Sequence, residues 1–189
     1  MNIVYLIVFF IFVVIIQKCI TLKVSNRNTS ISDLGFKLIK PRYSKTNDIV
    51  IDVLVYGTVV AFLLNSSLRH IHAFIISAIT LLIIRTICTL LTVLPKTDKP
   101  CHTNTKHSFV TTIQECTNDY MFSGHTAFLC LALLHINEQL SGVMIPSIVL
   151  LCIVVYLLIT TRSHYSIDIF IAMVLSYLVF HNAKNRIKN

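Results

Sequence analysis

The stretch MFSGHTAFLCLALLHINEQL, residues Met121–Leu140, leaves a polar loop and enters an apolar run within a few residues. Its length from Gly124 to Leu140 suits a helix that crosses a bilayer, which takes about 17 to 25 residues. Ser123 is a good N-cap, and Gly124 begins the helix. The backbone N–H groups of the first turn then point toward the loop, where the helix dipole favours a phosphate or another anion. His125 falls in that first turn. Taken alone, it reads equally as an interfacial histidine facing water.

The rest of the chain repeats the pattern. Of 189 residues, 55% are hydrophobic and 13% charged, and the mean hydropathy is +0.77, which excludes an ordinary soluble domain. Five more stretches meet the span criterion: Ile3–Leu22, Ile49–Ser66, His70–Leu94, Val143–Thr160 and Tyr165–His181. The expected fold is all-α, a single membrane domain over residues 1–189 with six transmembrane helices. The first span has the shortest apolar core, Ile3–Ile16, and is complete only if Lys18 snorkels to the interface. A signal peptide is the alternative there. Against it, Met1–Tyr5 holds no basic residue and no small-residue cleavage site follows.

Six spans put the long loops, Lys23–Asp48 and Pro95–Phe122, and the short turn Thr161–His164 on one face. The other face receives tight connections near Ser66–Arg69 and Ser141–Gly142. Net charge is +8, with the basic residues in loops rather than along a helix face. That distribution sets topology or meets anionic lipid, and predicts no nucleic-acid partner. Most loop cations lie on the loop-rich face, which by the positive-inside rule alone is cytoplasmic.

Ionisable residues at membrane depth are costly and tend to be functional. Arg85, His125, Arg162, His164 and Asp168 meet that description. In TTRSHYSIDIF, Thr160–Phe170, His164 and Asp168 are four apart, a spacing that on one helix lets the carboxylate hold one imidazole nitrogen and make the other more basic. The plainer reading is a buried His–Asp pair that fixes the last span. Two histidines at one depth, one backed by a carboxylate and one beside an anion-binding helix start, suit attack on phosphorus with no metal or cofactor. Arg85 lies ten residues before Pro95, about 15 Å of helix below the loop-rich face. Its planar fork suits Asp168 or a substrate phosphate, unless it snorkels to the surface.

Four cysteines, Cys19, Cys88, Cys130 and Cys152, fall in spans and read as small apolar residues. Cys101 and Cys116 share the polar loop and form either a disulfide or two free thiols, according to the redox state of that face. With His102 and His107 they show no paired C-x-x-C spacing, which argues against zinc there.

At these residues the chain resembles the sphingomyelin synthase branch of the type 2 phosphatidic-acid phosphatase superfamily. RTICTLLTVLP (Arg85–Pro95), ECTNDYMFSGHTAF (Glu115–Phe128) and HYSIDI (His164–Ile169) are similar to three family motifs in order and spacing. SDLGFKLIKP (Ser32–Pro41) is similar to the acidic segment between the family's first two spans, so the likeness covers about residues 32–180. The resemblance implies a six-span bundle that moves a phospho-head group between lipids. His164 would be the nucleophile, Asp168 its orienter, and His125 the acid and base. Ser123, Gly124, Arg85, Arg162, Asp119 and Tyr165 are the expected phosphate or substrate contacts. The implied partners are phosphatidylcholine or a related donor and ceramide or diacylglycerol as acceptor, in Golgi, endoplasmic reticulum or plasma membrane. The site would face the lumen or exterior, against the charge count.

The chain departs from the family's patterns at several points. The phosphatase branch's KxxxxxxRP is absent, Leu158 stands where that branch has a second arginine, and Asn118 stands where the synthase motif has glycine. The first two departures favour a transferase, with Arg162 as substitute phosphate clamp. A lipid phosphate phosphatase is the second reading, and a non-catalytic membrane scaffold or lipid-binding protein the third.

Overall fold

The computed structural model describes residues 3–23, 32–92, 94, 97 and 122–188, and every regular element in them is a helix. They are α1 (Ile3–Lys23), α2 (Leu34–Leu38), α3 (Lys45–Asn65), α4 (Leu68–Leu91), α5 (Gly124–Gln139), α6 (Met144–Thr160) and α7 (Ser166–Lys188). Six long helices stand where six spans are expected. Three of them, at Lys45–Asn65, Leu68–Leu91 and Ser166–Lys184, are long and apolar enough to cross a membrane. Val4–Ile16 and Met144–Thr160 are shorter apolar helices.

The remaining long helix, α5, explains the arrangement. At 16 residues it is about 24 Å long, short of the roughly 30 Å hydrocarbon core. It has no need of a lipid-facing surface, because it is enclosed. Ala127, Leu129, Leu131 and Ala132 are at most 2% exposed, and α5 packs against α3, α4, α6 and α7. Two apolar clusters meet along it. Phe62, Phe74, Ala78, Leu81 and Phe122 fill the side toward α4 and the later part of α7, while Ile51, Val55, Val154, Leu158 and Ile169 fill the side toward α3 and α6.

Small residues let α5 and α7 approach closely, since close backbone packing is the main attraction between helices in lipid. Ala127 and Ala172 are buried at this seam, and Ser176 donates its hydroxyl hydrogen bond there, with Ala172 O at 2.7 Å and Ala127 O at 3.3 Å. The outer faces carry large exposed apolar side chains, among them Val53, Leu64, Ile145, Tyr156 and Leu178. A bundle with apolar groups both inside and outside is built for lipid surroundings.

The tight connections form where the sequence predicts them. Ser66 and Ser67 separate α3 from α4, and α5 turns into α6 through Ser141 and Gly142. Gly142 has φ +84, a left-handed conformation that glycine adopts without steric cost.

At the loop-rich end the segment around α2 is strapped across the α6–α7 turn. Asp33 joins the two starts. Its carboxylate accepts from Phe36 N at 3.0 Å, from Ser166 N at 2.8 Å and from the Ser166 hydroxyl at 2.8 Å, so one acid caps both α2 and α7. Gly35 N–H donates to Ser166 Oγ at 3.1 Å, and a Cβ at Gly35 would collide with that same oxygen. Further along, Arg42 N–H donates to Thr160 O at 2.8 Å. The acidic segment Ser32–Pro41 is therefore the strap that fixes where α7 begins.

Candidate active site

The loop-rich end gathers side chains from four helices. Ser123 caps α5 as its sequence predicts. Its Oγ accepts from Thr126 N at 3.3 Å and from the Thr126 hydroxyl at 2.9 Å. The amides of Gly124 and His125 precede Thr126 in that turn, and neither has an acceptor within its own helix. Ser123 itself is fully buried, so it shapes the helix start and does not reach outward.

Arg85 of α4 lies against this helix start. A Cβ on Gly124 would stand 2.8 Å from Arg85 Nη1. The guanidinium occupies the space a side chain at 124 would take, so a Cβ there would push it aside. Arg85 is six residues before the end of α4, about 9 Å below it, so α5 starts well inside the bundle and the site is recessed. A planar cation thus lies beside two helix-start amides, donor types that suit a phosphate.

His125 points toward α3. Its Nε2 is 2.9 Å from Asp52 Oδ1, and the Tyr56 ring, one turn further along α3, has its centroid 6.1 Å from the imidazole. An ionised carboxylate only accepts, so Nε2 carries the hydrogen and Nδ1 is the nitrogen left for proton exchange. Both side chains are partly solvated, at 26% for His125 and 22% for Asp52. The reasoning from sequence missed Asp52, although the signal was present: it is a carboxylate inside the span Ile49–Ser66, the criterion that selects Arg85.

The two histidines meet. The His125 and His164 ring centroids are 6.5 Å apart in an edge-to-face arrangement, so the two imidazoles stand at one place in the bundle. His164 Nδ1 lies 3.9 Å from Asp168 Oδ2. That is an electrostatic contact and is longer than a hydrogen bond. The expected i,i+4 hydrogen bond on one helix face does not form, because α7 begins at Ser166, after His164. Asp168 Oδ2 instead accepts from Tyr165 N at 3.0 Å, and Asp168 O accepts from Ser123 N at 3.3 Å. Asp168 thus ties the start of α7 to the start of α5 and places a buried carboxylate on the Nδ1 side of His164. Nε2 is left as the nitrogen that faces away from it.

Arg162 reaches the strap with one guanidinium nitrogen. Its Nη2 donates to Phe36 O and Ile39 O, both at 2.9 Å, and its guanidinium carbon sits 4.0 Å from the Phe36 ring centroid. It is 5% exposed and has φ 55, a left-handed conformation that costs a non-glycine residue roughly 1 to 3 kcal/mol. These contacts hold the strap and fix the tight turn that presents His164. Tyr165 is likewise buried, 3% exposed and stacked on Phe36 with centroids 5.2 Å apart. Both side chains pack against Phe36 of the strap. Asp119, Cys101 and Cys116 lie outside the described residues.

At Tyr165, the residue after His164 in the chain, a groove of about 340 Å³ opens between the strap and α7, lined also by Leu34, Leu94, Ser166 and Phe170. Its size falls within the range of small-molecule sites, about 300 to 1,000 Å³. Leu34 and Phe170 are more than half exposed, so the groove is open on the apolar outer side of the bundle.

Residues 115–185 match the family model described as PAP2 superfamily C-terminal. The matched region includes Ser123, His125, Arg162, His164 and Asp168. The match supports a likeness to the type 2 phosphatidic-acid phosphatase superfamily over that part of the chain. No curated protein sequence matches the chain.

Proposed function

We propose that the protein is a membrane lipid phosphotransferase that moves a phospho-head group, phosphocholine in the first instance, from a glycerophospholipid to ceramide or a similar lipid alcohol. The observation that carries this reading is the facing pair His125 and His164, 6.5 Å apart, each with a carboxylate behind it and with Arg85 against the adjoining helix start.

In the first step His164 Nε2 attacks phosphorus and an N–P bond forms. The P–O bond to the donor breaks, and the departing oxygen takes a proton from His125 Nδ1. Asp168 stabilises the positive charge that develops on His164, and Asp52 steadies the imidazolium form of His125. Arg85 and the amides of Gly124 and His125 bind the phosphoryl oxygens as charge grows on them. In the second step His125 Nδ1 removes a proton from the acceptor hydroxyl, the new P–O bond forms, and His164 leaves unchanged. Every bond and proton is accounted for by these groups.

Transfer to a lipid alcohol is supported by the motif spacing shared with the sphingomyelin synthases and by the apolar groove at Tyr165. We place the six long helices in the bilayer and the site on the lumenal or exterior side. Purified protein given labelled phosphatidylcholine and ceramide is expected to form sphingomyelin and diacylglycerol. Failure to transfer a head group to any lipid alcohol overturns the transferase reading. The partial solvation of His125 and Asp52 favours a second reading, in which water is the acceptor. Free phosphate released from phosphatidic acid, with no transfer product, distinguishes it.

A further inference from the structure

A second cluster of reactive side chains lies at the opposite end of the bundle. His70 in the first turn of α4, with His135 and Glu138 in the last turns of α5, place one ligand atom each within 4.8 Å of one another. His135 is ten residues beyond His125 on the same helix, about 15 Å away, so the cluster is separate from the site described above.

His135 is the informative member. It is 2% exposed, and among the described residues neither of its ring nitrogens has a hydrogen-bond partner. Its surroundings are aromatic: Phe180 edge-on with centroids 4.8 Å apart, Phe62 at 5.5 Å and Phe74 at 5.9 Å. A neutral imidazole always has one N–H and one lone pair. The N–H is accommodated by the face of a neighbouring ring, but an aromatic cage offers nothing to the lone pair. The ring nearest to it that is not a phenylalanine is His70, with centroids 6.3 Å apart.

We propose that His70, His135 and Glu138 bind a divalent transition-metal ion of the zinc type. Two imidazoles and one carboxylate are a donor set that zinc accepts with a fourth position open. Ligand atoms around tetrahedral zinc are about 3.4 Å apart, so the three side chains close in by roughly an ångström on binding, within the reach of small χ rotations at His70 and Glu138. Glu138 Oε1 accepts from Lys184 Nζ of α7 at 3.0 Å. The ammonium therefore competes with the metal for this carboxylate. A bound ion would join the start of α4 to the end of α5 and release Lys184 to solvent. Spacing rules pair His135 with Glu138, three residues on in α5, but not with His70, which stands 65 residues before His135 on another helix.

Full-length protein in detergent, freed of metal by a chelator and titrated with Co²⁺ and then Zn²⁺, tests this. The expected result is one ion per chain, with the visible bands of four- or five-coordinate Co²⁺ and no thiolate-to-cobalt band. Affinity is expected to fall at least tenfold in His70→Ala and in Glu138→Gln and to rise severalfold in Lys184→Ala. The readout is independent of lipid turnover. Absence of binding, binding that both ligand variants leave unchanged, or a thiolate band that assigns the ion to cysteines overturns the proposal.

Discussion

Replacing Asp52 by asparagine removes one charge from behind His125 and keeps the size and hydrogen-bonding reach of the side chain. At 2.9 Å, attraction between unit charges is about 1.4 kcal/mol at the dielectric of water and about 6 kcal/mol at an effective dielectric of 20. The two side chains are about a quarter exposed, which places the interaction between these limits, near 3 kcal/mol. At 1.36 kcal/mol per decade, losing it from the imidazolium that forms as His125 takes the acceptor's proton slows the second step, and with it turnover, about 10²-fold. The asparagine also leaves the Nε2 hydrogen without a charged acceptor and relaxes the choice of tautomer. Head-group transfer by purified Asp52→Asn in mixed micelles is expected to show this fall in kcat with little change in KM, because the stabilisation is specific to the charged histidine. Asp48→Asn, one turn earlier in α3, serves as the control and is expected to retain activity. A folded Asp52→Asn enzyme within about threefold of wild type refutes the pairing of Asp52 with a catalytic His125.

Other perturbations follow from single contacts. Gly124→Ala drives a methyl group into the space of Arg85 Nη1; transfer should fall at least about tenfold while thermal stability changes by less than about 2 kcal/mol, which separates phosphate binding from folding. Gly35→Ala displaces Ser166 Oγ and breaks its bonds to Gly35 N–H and Asp33; two hydrogen bonds of about 0.5 to 1.5 kcal/mol each predict a loss of about 1 to 3 kcal/mol in denaturation. Arg162→Met removes two charge-assisted bonds to Phe36 O and Ile39 O; at about 1.5 to 3 kcal/mol each, a loss of about 3 to 6 kcal/mol, visible as a lowered melting temperature, is expected even without substrate. Glycosylation acceptor sites introduced in residues 103–112 should be modified in microsomes if the active site faces the lumen, and unmodified sites count against that orientation.

The helices were legible because long apolar runs announce themselves by length and composition. The two ends of α5 follow directly from Ser123 and from the Ser141–Gly142 turn. What sequence could not show was how α5 is used. A 16-residue helix looks like a short span, and only its enclosure by four neighbours identifies it as the axis of the bundle. The paired histidines were legible as motifs, since each lies in a short local pattern. Their supports were not. Asp52 reaches His125 across 73 residues of chain, and Asp33 reaches Ser166 across 133. The partners of Arg162 were illegible for the same reason: only the fold reveals the carbonyls, more than 120 positions away, that its Nη2 meets. Asp168 was correctly placed beside His164, yet the start of α7 at Ser166 turns the expected hydrogen bond into a 3.9 Å charge contact.

The central claim is that His164 carries the phospho-group between donor and acceptor. Purified protein mixed with head-group-labelled phosphatidylcholine without acceptor, quenched in alkali to preserve N–P bonds and digested, should give a labelled peptide containing His164. The label should leave when ceramide is added, and His164→Ala should give neither label nor product. Full transfer activity in His164→Ala contradicts the account.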